Sequence, residues 1–361
     1  MNRSDLVRAV TFNFPDHIPV IFHINESCWD HYSREELIGL IREHPILFPD
    51  GPPEFALAGD PVPYAPWCRS SEPWLDPWGC LWETSMSGII GSVTRHPLES
   101  WDALDAYTPP DFMETTHWYP VTWVEDASPS GGSIGFFDCL RSGEIGHGHT
   151  LLKLFDILGY ERTIYEMYDN TPQFRRLLAM LEEFNAGLVH QFISVSRVEW
   201  LGYAEDLGMQ IGPLISPELF RRHILPSYRR LMEPAERADI LIHMHADGDI
   251  RSLAEDLLTL PVDTYNIQDT VNGIDWIADT LKGRVAIDLD IDRVALSHQN
   301  SVTRVYEYFN RVLERLSDPA GGLILTYGLY PGVPIEIADA LMDAMEQIAR
   351  SPAGGVPKWS T

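Results

Sequence analysis

The sequence predicts an α/β protein built as a closed (β/α)8 TIM barrel, and two observations support this prediction. After residue 150, short apolar runs that stay nearly uncharged until their last residues alternate with long amphipathic segments. Such runs are typical of parallel strands that are covered on both faces. No Gly-rich dinucleotide fingerprint accompanies them, which favours a closed barrel over a doubly wound sheet.

The individual elements follow from periodicity and from capping residues. Val302–Leu316 shows the clearest helical pattern, because its apolar side chains recur at helical spacing and form one stripe. Ser216 is expected to cap a helix that starts at Pro217 and is kinked or interrupted at Pro226. Another helix is predicted at 34–44. The predicted strands cover residues 17–24, 198–204, 238–245, 262–267, 283–291 and 321–328.

The first third of the chain has a different composition from the rest. Eight of the eleven Trp and sixteen of the 27 Pro precede residue 130, which argues against central strands or long helices there. We therefore predict one barrel domain over residues 1–350. Within it, residues 1–130 form an irregular N-terminal extension packed over the barrel as a lid, residues 131–350 form the regular barrel, and residues 351–361 are a tail.

Charge and composition exclude several classes of protein. The 26 Lys and Arg against 53 Asp and Glu give a net charge of −27, which argues against binding to nucleic acids or to anionic membranes. No segment reaches the roughly 18 apolar residues of a membrane span, and the first residues lack the apolar core of a signal peptide. The four cysteines are sparse and form no CxxC pair, so we expect reduced thiols in a cytoplasmic protein.

The strongest candidate for chemistry is the segment HMHADGD, which follows the apolar run Ile240–Ile242. In an extended chain His243, His245 and Asp247 point the same way, at what should be the carboxyl end of a barrel strand. Imidazoles and a carboxylate are ligands for zinc or another divalent cation, and they can also transfer protons without a metal. The alternative is a hydrogen-bonded structural histidine beside a turn that begins at Asp247.

A second candidate is the segment YAEDLGMQ, where Glu205 and Asp206 are adjacent carboxylates and Gln210 follows. One of the two carboxyl groups is expected to have a raised pKa and to act as an acid. The alternative is a solvated acidic loop. Weaker candidates lie at the ends of other predicted strands: Asn266, Gln268, Asp288 and Tyr327. His147 and His149, in a Gly-rich stretch, are a weak candidate for a pair of metal ligands.

The chain resembles the uroporphyrinogen decarboxylase superfamily, which also contains methyltransferases that work with corrinoid proteins or coenzyme M. The resemblance is carried, in order, by YAEDLGMQIGPLISPELFRRHILPSYRRLM, HMHADGDI, VDTYNIQD, NGIDWIADTLKGRVAIDLDIDR and GGLILTYGLYPGVPIEIADALMDAM. DPWGCLWE and GSVTRHPLESWDALDAYTPPD resemble the N-terminal region of its methyltransferase-like members. The resemblance implies an enzyme with a (β/α)8 barrel.

Two departures bear on the branch of the superfamily. True decarboxylases carry an Arg-rich N-terminal motif for the carboxylates of their substrate, whereas VIFHINESCWD at 20–30 has no Arg or Lys. The zinc methyltransferases place His-x-Cys where this chain has His245 and Asp247, and a further Cys near Leu329 that is absent here. A thiolate-rich zinc site is therefore not expected, and zinc itself is in doubt.

We therefore expect a methyltransferase-like enzyme that moves a methyl group between a small substrate and a corrinoid carried by a partner protein. The residues expected to carry the chemistry are Asp206, His245 and Asp247. Those expected to bind the substrate are Gln210, Asn266, Gln268, Asp288 and Tyr327. If zinc or another divalent metal is present, its expected ligands are His243, His245, Asp247 and Glu205.

Three rival functions and the oligomeric state stay open. A decarboxylase of a tetrapyrrole or another carboxylic acid would need an Arg cluster recruited from Arg69, Arg141 or Arg293. A metal-dependent hydrolase would use the His243-x-His245 pair, and a non-enzymatic protein would only bind a corrinoid or a tetrapyrrole. A homodimer is an open alternative to a monomer.

Overall fold

The structure, a computed structural model, describes residues 2–128, 139–291 and 301–359. Its strands are β1 (Val20–Ile24), β2 (Trp74–Leu75), β3 (Leu81–Glu83), β4 (Ser92–Arg95), β5 (Ser142–Glu144), β6 (Trp200–Ala204), β7 (Gly208–Met209), β8 (Gly212–Pro213), β9 (Leu241–Ala246), β10 (Thr264–Gln268), β11 (Ala286–Asp290) and β12 (Leu323–Leu329).

Its α-helices, with short 3-10 and π segments between them, cover much of the remaining chain. They are α1 (Arg3–Val10), α2 (Cys28–His31), α3 (Arg34–Glu43), α4 (Glu54–Ala58), α5 (Leu151–Leu158), α6 (Tyr160–Asp169), α7 (Pro172–Gln191), α8 (Pro217–Leu219), α9 (Leu225–Arg237), α10 (Ala254–Leu257), α11 (Asp269–Asn272), α12 (Ile274–Thr280), α13 (Val302–Leu316) and α14 (Ile335–Arg350). None of the helices within the described ranges is both long and apolar enough to cross a membrane.

Most of the predicted elements are present. The helix at 34–44 is α3, which Ser33 caps in a reciprocal capping box with Glu36. Ser216 accepts a hydrogen bond from the Leu219 amide at the start of the predicted helix, and a π turn at Phe220–Ile224 interrupts that helix just before Pro226. The helix at Val302–Leu316 has the predicted bounds, and all of its stripe except Val302 is buried.

The chain forms two compact units. The first consists of Met1–Ser70, Thr84–Ile90 and Asn266–Thr361, and the second of Ser71–Glu83 and Gly91–Tyr265. In the first unit β12 lies between β1 and β11 and runs parallel to both, and every residue of β12 is buried. The apolar stripe of α13 and one face of α14 contribute to the core of this unit.

In the second unit β6 lies between β5 and β9, and the three strands are parallel. All five residues of β6 are buried, as expected for a strand that is covered on both faces. The antiparallel strands β7 and β8 form a hairpin directly after β6. Helices α5 and α7 turn their apolar faces inward and supply much of the remaining core.

A buried cation joins part of the Trp-rich region to α5 within the second unit. The Lys153 ammonium lies 3.0 Å from Asp156 and 3.4 Å from Asp76, and no part of the Lys153 side chain is exposed. The rings of Trp118 and Trp82 lie 5.0 and 5.7 Å from the same nitrogen. This contact ties residues 71–83 and 91–128 to the first helix after β5.

The structure confirms an α/β protein built on parallel strands, which is the class to which TIM barrels belong. Seven parallel strands lie within the described ranges, namely β1, β5, β6 and β9 to β12, so the predicted eighth strand is not among the described residues. The predicted boundary at residue 130 also falls outside the described residues. All four cysteines are described, and none of them is in a disulfide.

Candidate active site

Three strand ends of the second unit lie side by side. Glu144 of β5 is in register with Gly202 of β6, and Ala204 of β6 is in register with His245 of β9. Because the strands are parallel, their carboxyl ends share one edge of the sheet, which is where α/β proteins commonly place their active sites. His147 follows β5, Asp206 follows β6, and His245 is the penultimate residue of β9.

These three side chains form one cluster. The Nε2 atom of His147 donates a hydrogen bond to Oδ1 of Asp206 at 3.0 Å, and Nε2 of His245 lies 3.3 Å from the same oxygen. The centroids of the two imidazole rings are 5.7 Å apart. The side chains of His147, Asp206 and His245 are 37%, 30% and 21% exposed, so a small ligand can reach them from the solvent.

The cluster separates charge between its members. Burial disfavours the ionised Asp206 carboxyl, but the hydrogen bonds and charges of His147 and His245 outweigh that effect and hold its pKa well below the usual value. Burial likewise opposes protonation of His147, yet the bond to Asp206 prevails and the pKa of His147 is raised. The arrangement therefore favours an Asp206 carboxylate beside a His147 imidazolium.

Asp247 completes the edge of the cluster. Its Oδ1 atom lies 3.5 Å from Nε2 of His245, is buried, and accepts no hydrogen bond from the described residues. The loops that carry Asp206 and Asp247 are held together by Gly208 and Gly248, whose backbones are in direct contact. A Cβ atom on Gly248 would lie 2.1 Å from the carbonyl carbon of Gly208, and Gly248 has a φ of +83°.

Glu205 has a structural position, although it precedes Asp206 directly. Its side chain is completely buried, and its Oε1 atom accepts hydrogen bonds from the amides of Thr150 at 3.2 Å and Leu152 at 2.8 Å. Those amides lie at the start of α5, where the helix itself leaves backbone N–H groups without a partner, so a carboxylate there satisfies them and interacts favourably with the helix dipole. Its Oε2 atom accepts a hydrogen bond from the hydroxyl of Tyr228.

The loop that carries His147 is fixed from three directions. The Gly148 amide donates to the Ala204 carbonyl at 2.9 Å, which joins the loop to the end of β6. The Trp118 indole donates to the His147 carbonyl at 2.9 Å. The side-chain amide of Asn185 donates a hydrogen bond to the backbone carbonyl of His149 at 2.8 Å. The His149 imidazole is buried, and burial lowers its pKa.

The comparisons with known proteins identify the family. The model of the uroporphyrinogen decarboxylase (URO-D) family matches residues 155–348, more than half of the chain. The chain belongs to the URO-D family. This confirms the resemblance that the sequence motifs carry, and the matched region includes Asp206, His245 and Asp247 while His147 precedes it.

A solved structure shares the fold of this URO-D protein. It is a methyltransferase from Methanosarcina mazei, with a TM-score of 0.58 and 14% sequence identity over 95% of this chain and 98% of that chain. At this identity the likeness concerns the fold alone. None of the curated proteins matches the chain.

The residues predicted from the sequence fall into three groups. Asp206, His245 and Asp247, the three expected catalytic residues, lie together at the strand ends of the second unit. Gln210 is exposed in the turn between β7 and β8 of the same unit. The other expected substrate-binding residues lie in the first unit: Asn266, Gln268, Asp288 and Tyr327.

Asp288 and Asn266 have contacts of their own within the first unit. Oδ1 of Asp288 accepts a hydrogen bond from the Thr326 hydroxyl at 2.6 Å, and the Asp288 carbonyl accepts one from the Asn266 side chain at 3.2 Å. Tyr327 is completely buried, and its ring centroid lies 5.1 Å from that of Phe22. A role for these residues in binding substrate stays a prediction.

The four predicted metal ligands are not one group. His243 is buried, and its ring lies 5.3 Å from that of Trp200. Glu205 caps α5 through its bonds to the Thr150 and Leu152 amides. Among the described residues, the group with ligand atoms close enough to share a metal ion is His147, Asp206 and His245, whose ligand atoms all lie within 4.8 Å of one another.

Proposed function

We propose that this URO-D family protein is a methyltransferase-like enzyme, which moves a methyl group from a small O- or N-methylated substrate to a corrinoid carried by a separate protein. The cluster of His147, Asp206 and His245 is the observation that carries this proposal, because it places two imidazoles and a carboxylate within hydrogen-bonding distance at an accessible strand edge. The fold that the chain shares with a methyltransferase supports it. The proposal includes a cytoplasmic location.

The cluster supplies the proton that this reaction requires. A reduced corrinoid would accept the methyl group, and the broken C–O or C–N bond leaves its electron pair on the oxygen or nitrogen of the substrate. That atom must be protonated as it leaves. The His147 imidazolium, held in that form by the Asp206 carboxylate, is the donor, and His245 lies 3.3 Å from the same carboxylate oxygen.

The positions of the arginines disfavour decarboxylation of a polycarboxylate. Arg141 precedes β5, and its guanidinium donates to the Arg197 carbonyl at the opposite end of that strand from His147. Arg251 is held by both oxygens of Asp249 at 2.9 and 2.7 Å. Arg69 lies in the first unit, and Arg293 lies outside the described residues. A substrate with several carboxylates would need unpaired cations, and neither Arg141 nor Arg251 offers one at the cluster.

A hydrolase that uses His243 and His245 as a ligand pair is also less well supported. The two histidines belong to the same strand, but His243 lies two residues further than His245 from the carboxyl end of the strand. It contacts Trp200 there, whereas His245 contacts Asp206.

The experiment is an assay of methyl transfer to free cob(I)alamin. The protein is mixed with chemically reduced cobalamin and a panel of small O-, N- and S-methylated compounds, and formation of methylcobalamin is followed by its visible absorption. We expect turnover with an O- or N-methylated member. Asp206→Asn should slow that turnover by about 100-fold or more, the usual contribution of positioned acid–base catalysis.

The matched control is His190→Asn, because His190 is an exposed histidine of α7 in the same unit. This variant should keep the full rate. Release of carbon dioxide from uroporphyrinogen, with no methyl transfer from any member of the panel, would replace the proposal with the decarboxylase alternative. Equal rates for Asp206→Asn and the control would remove the cluster from the chemistry.

A further inference from the structure

The ligand atoms of the cluster are spaced as ligands of one metal ion. Zn²⁺ lies about 2.0–2.1 Å from imidazole nitrogen and carboxylate oxygen, so two ligand atoms of a tetrahedral site are about 3.3–3.5 Å apart. Oδ1 of Asp206 lies 3.0 Å from Nε2 of His147 and 3.3 Å from Nε2 of His245. Small movements of the three side chains would bring them to the required spacing.

Asp247 provides an independent observation. Its buried Oδ1 atom accepts no hydrogen bond from the described residues, although a buried carboxylate oxygen is costly when it is unsatisfied. It faces His245 at 3.5 Å, on the side of that ring where Asp206 also lies. A cation bound between His245 and Asp206 would satisfy this oxygen.

The ligand-bearing loops are also held rigidly. The contact between Gly208 and Gly248 fixes the Asp206 loop against the Asp247 loop, and the Gly208 amide donates to the Asp247 carbonyl at 2.9 Å. Trp118 and the end of β6 fix the backbone at His147. Rigid support of this kind raises the affinity of a metal site, because little motion is lost when the ion binds.

We propose that His147, Asp206 and His245 bind one divalent transition-metal ion, with Asp247 as a further oxygen ligand. Two imidazoles with carboxylates suit Zn²⁺, Fe²⁺ or Co²⁺, and they disfavour Mg²⁺ and Ca²⁺, which prefer oxygen ligands alone. This ligand set differs from the one predicted from the sequence, because His147 and Asp206 replace His243 and Glu205. The inference rests on the proposed function for the role of the ion. With the ion bound, His147 is a neutral ligand. The ion, acting as a Lewis acid, would then take the place of the His147 proton in stabilising the electron pair on the leaving oxygen or nitrogen of the substrate.

The test uses Co²⁺ and Zn²⁺ and needs no methyl transfer. The full-length protein is treated with a chelator, dialysed, and titrated with Co²⁺ while its visible absorption is recorded. We expect one Co²⁺ per chain, with absorption bands of a four- or five-coordinate site, and complete displacement by Zn²⁺ but not by excess Mg²⁺ or Ca²⁺. Calorimetric titration with Zn²⁺ gives the affinity.

Three variants identify the ligands. His147→Asn and Asp206→Asn should each lower the affinity for Zn²⁺ by at least about 100-fold, since loss of a supporting residue alone typically costs 10–100-fold. His243→Asn, which alters a ligand predicted from the sequence, should bind as tightly as the unaltered protein. His190→Asn is the control for an exposed histidine. Circular dichroism checks that each variant is folded, and His147 is the most exposed of the three residues changed to identify the ligands, so its replacement should disturb the fold least of the three.

Two results would overturn the metal site. One is the absence of stoichiometric Co²⁺ or Zn²⁺ binding by the unaltered protein, and the other is tight binding that both His147→Asn and Asp206→Asn retain. Methyl transfer without bound metal would then leave the proposed function in place and limit the cluster to proton transfer. Metal binding without methyl transfer from any substrate would leave the site in place and remove the proposed reaction.

Discussion

Replacing the buried Lys153 with methionine should strongly destabilise the second unit. The Lys153 ammonium is fully buried between Asp156 at 3.0 Å and Asp76 at 3.4 Å, and it lies over the rings of Trp118 and Trp82. Methionine fills nearly the same apolar volume but carries no charge. The Lys153→Met variant therefore keeps the packing and leaves the buried Asp76 carboxylate and the largely buried Asp156 carboxylate without their cation.

The magnitude follows from the remaining partners of the two carboxylates. Removing one member of a buried ion pair typically costs about 3–5 kcal/mol. Asp76 keeps three N–H donors, from the amides of Trp78 and Cys80 and from the Trp82 indole at 3.1 Å. The penalty therefore falls mainly on Asp156, and we expect a loss near the lower end, about 3 kcal/mol.

The loss should depend on pH. Burial raises the pKa of the Asp156 carboxyl, and Lys153 counteracts part of that rise. Without the cation, the pKa of Asp156 in the folded protein rises further above its pKa in the unfolded chain. At pH values between these two pKa values, the folded state therefore holds more protons than the unfolded state. Stability of Lys153→Met then falls as pH rises through that window, and the difference from the unaltered protein should be smaller at pH 5 than at pH 8.

The assay is equilibrium unfolding in urea, followed by tryptophan fluorescence at several pH values. The control is Arg176→Met, because Arg176 forms an exposed pair with Asp105 at 2.6 Å in the same unit. Loss of an exposed pair should cost less than about 1 kcal/mol. If Lys153→Met loses no more stability than Arg176→Met, or if its loss is the same at every pH, the buried ion cluster does not stabilise the unit in the way described.

Three further predictions concern the site. Glu205→Ala should cost about 3–5 kcal/mol in urea unfolding, because it removes three buried hydrogen bonds, and it should lower the midpoint of unfolding well below that of Asp206→Ala. Asp206→Ala should instead lose methyl transfer and Zn²⁺ binding with a smaller loss of stability than Glu205→Ala, since the Asp206 side chain is partly exposed whereas that of Glu205 is fully buried. Gly248→Ala should cost at least about 2 kcal/mol and weaken Zn²⁺ binding in a calorimetric titration, because the new Cβ would strike Gly208 and the backbone would be strained; unchanged binding would show that the contact does not position the ligands.

The strands that the sequence predicts best are those whose residues are almost entirely apolar. Strand β6 is a continuous run of apolar residues and glycine, and the chain is apolar from Ile240 to Ile242 at the start of β9, so this pattern places the polar residues that come next near a strand end. Asp206, His245 and Asp247 are identified in this way, and the structure brings them together.

His147 is a weaker candidate from the sequence for a physical reason. Strand β5 has only three residues, Ser142–Glu144, and its sequence is polar and contains glycine. Nothing in such a segment identifies a strand, so the histidines after it have no predicted register. The signal that could identify it is the position of the segment before the apolar helix α5, in the order strand, loop and helix that the rest of the chain repeats.

The alternation of side chains explains why His243 and His245 differ. Residues two positions apart on a strand share a face, but they are separated by about 6.6 Å along it. His243 is in register with Gly202 inside the sheet and contacts Trp200, whereas His245 is level with Ala204 at the edge. A His-x-His pair on one strand therefore predicts a shared face, and a shared ligand requires in addition that both residues lie beyond the buried part of the strand.

Glu205 and Asp206 show how adjacent carboxylates acquire different functions. The chain leaves β6 with alternating side chains, so one carboxylate must turn inward when the other turns toward the exposed edge. The inward one is stable only because α5 begins beside it and offers amide N–H groups, which fix the loop containing His147. Glu205 thus helps to position His147 beside Asp206 through the start of α5. It follows that Glu205→Gln, which retains an oxygen acceptor for those amides, should preserve the Zn²⁺ site far better than Glu205→Ala, and equal affinities in the two variants would show that the cap does not position His147.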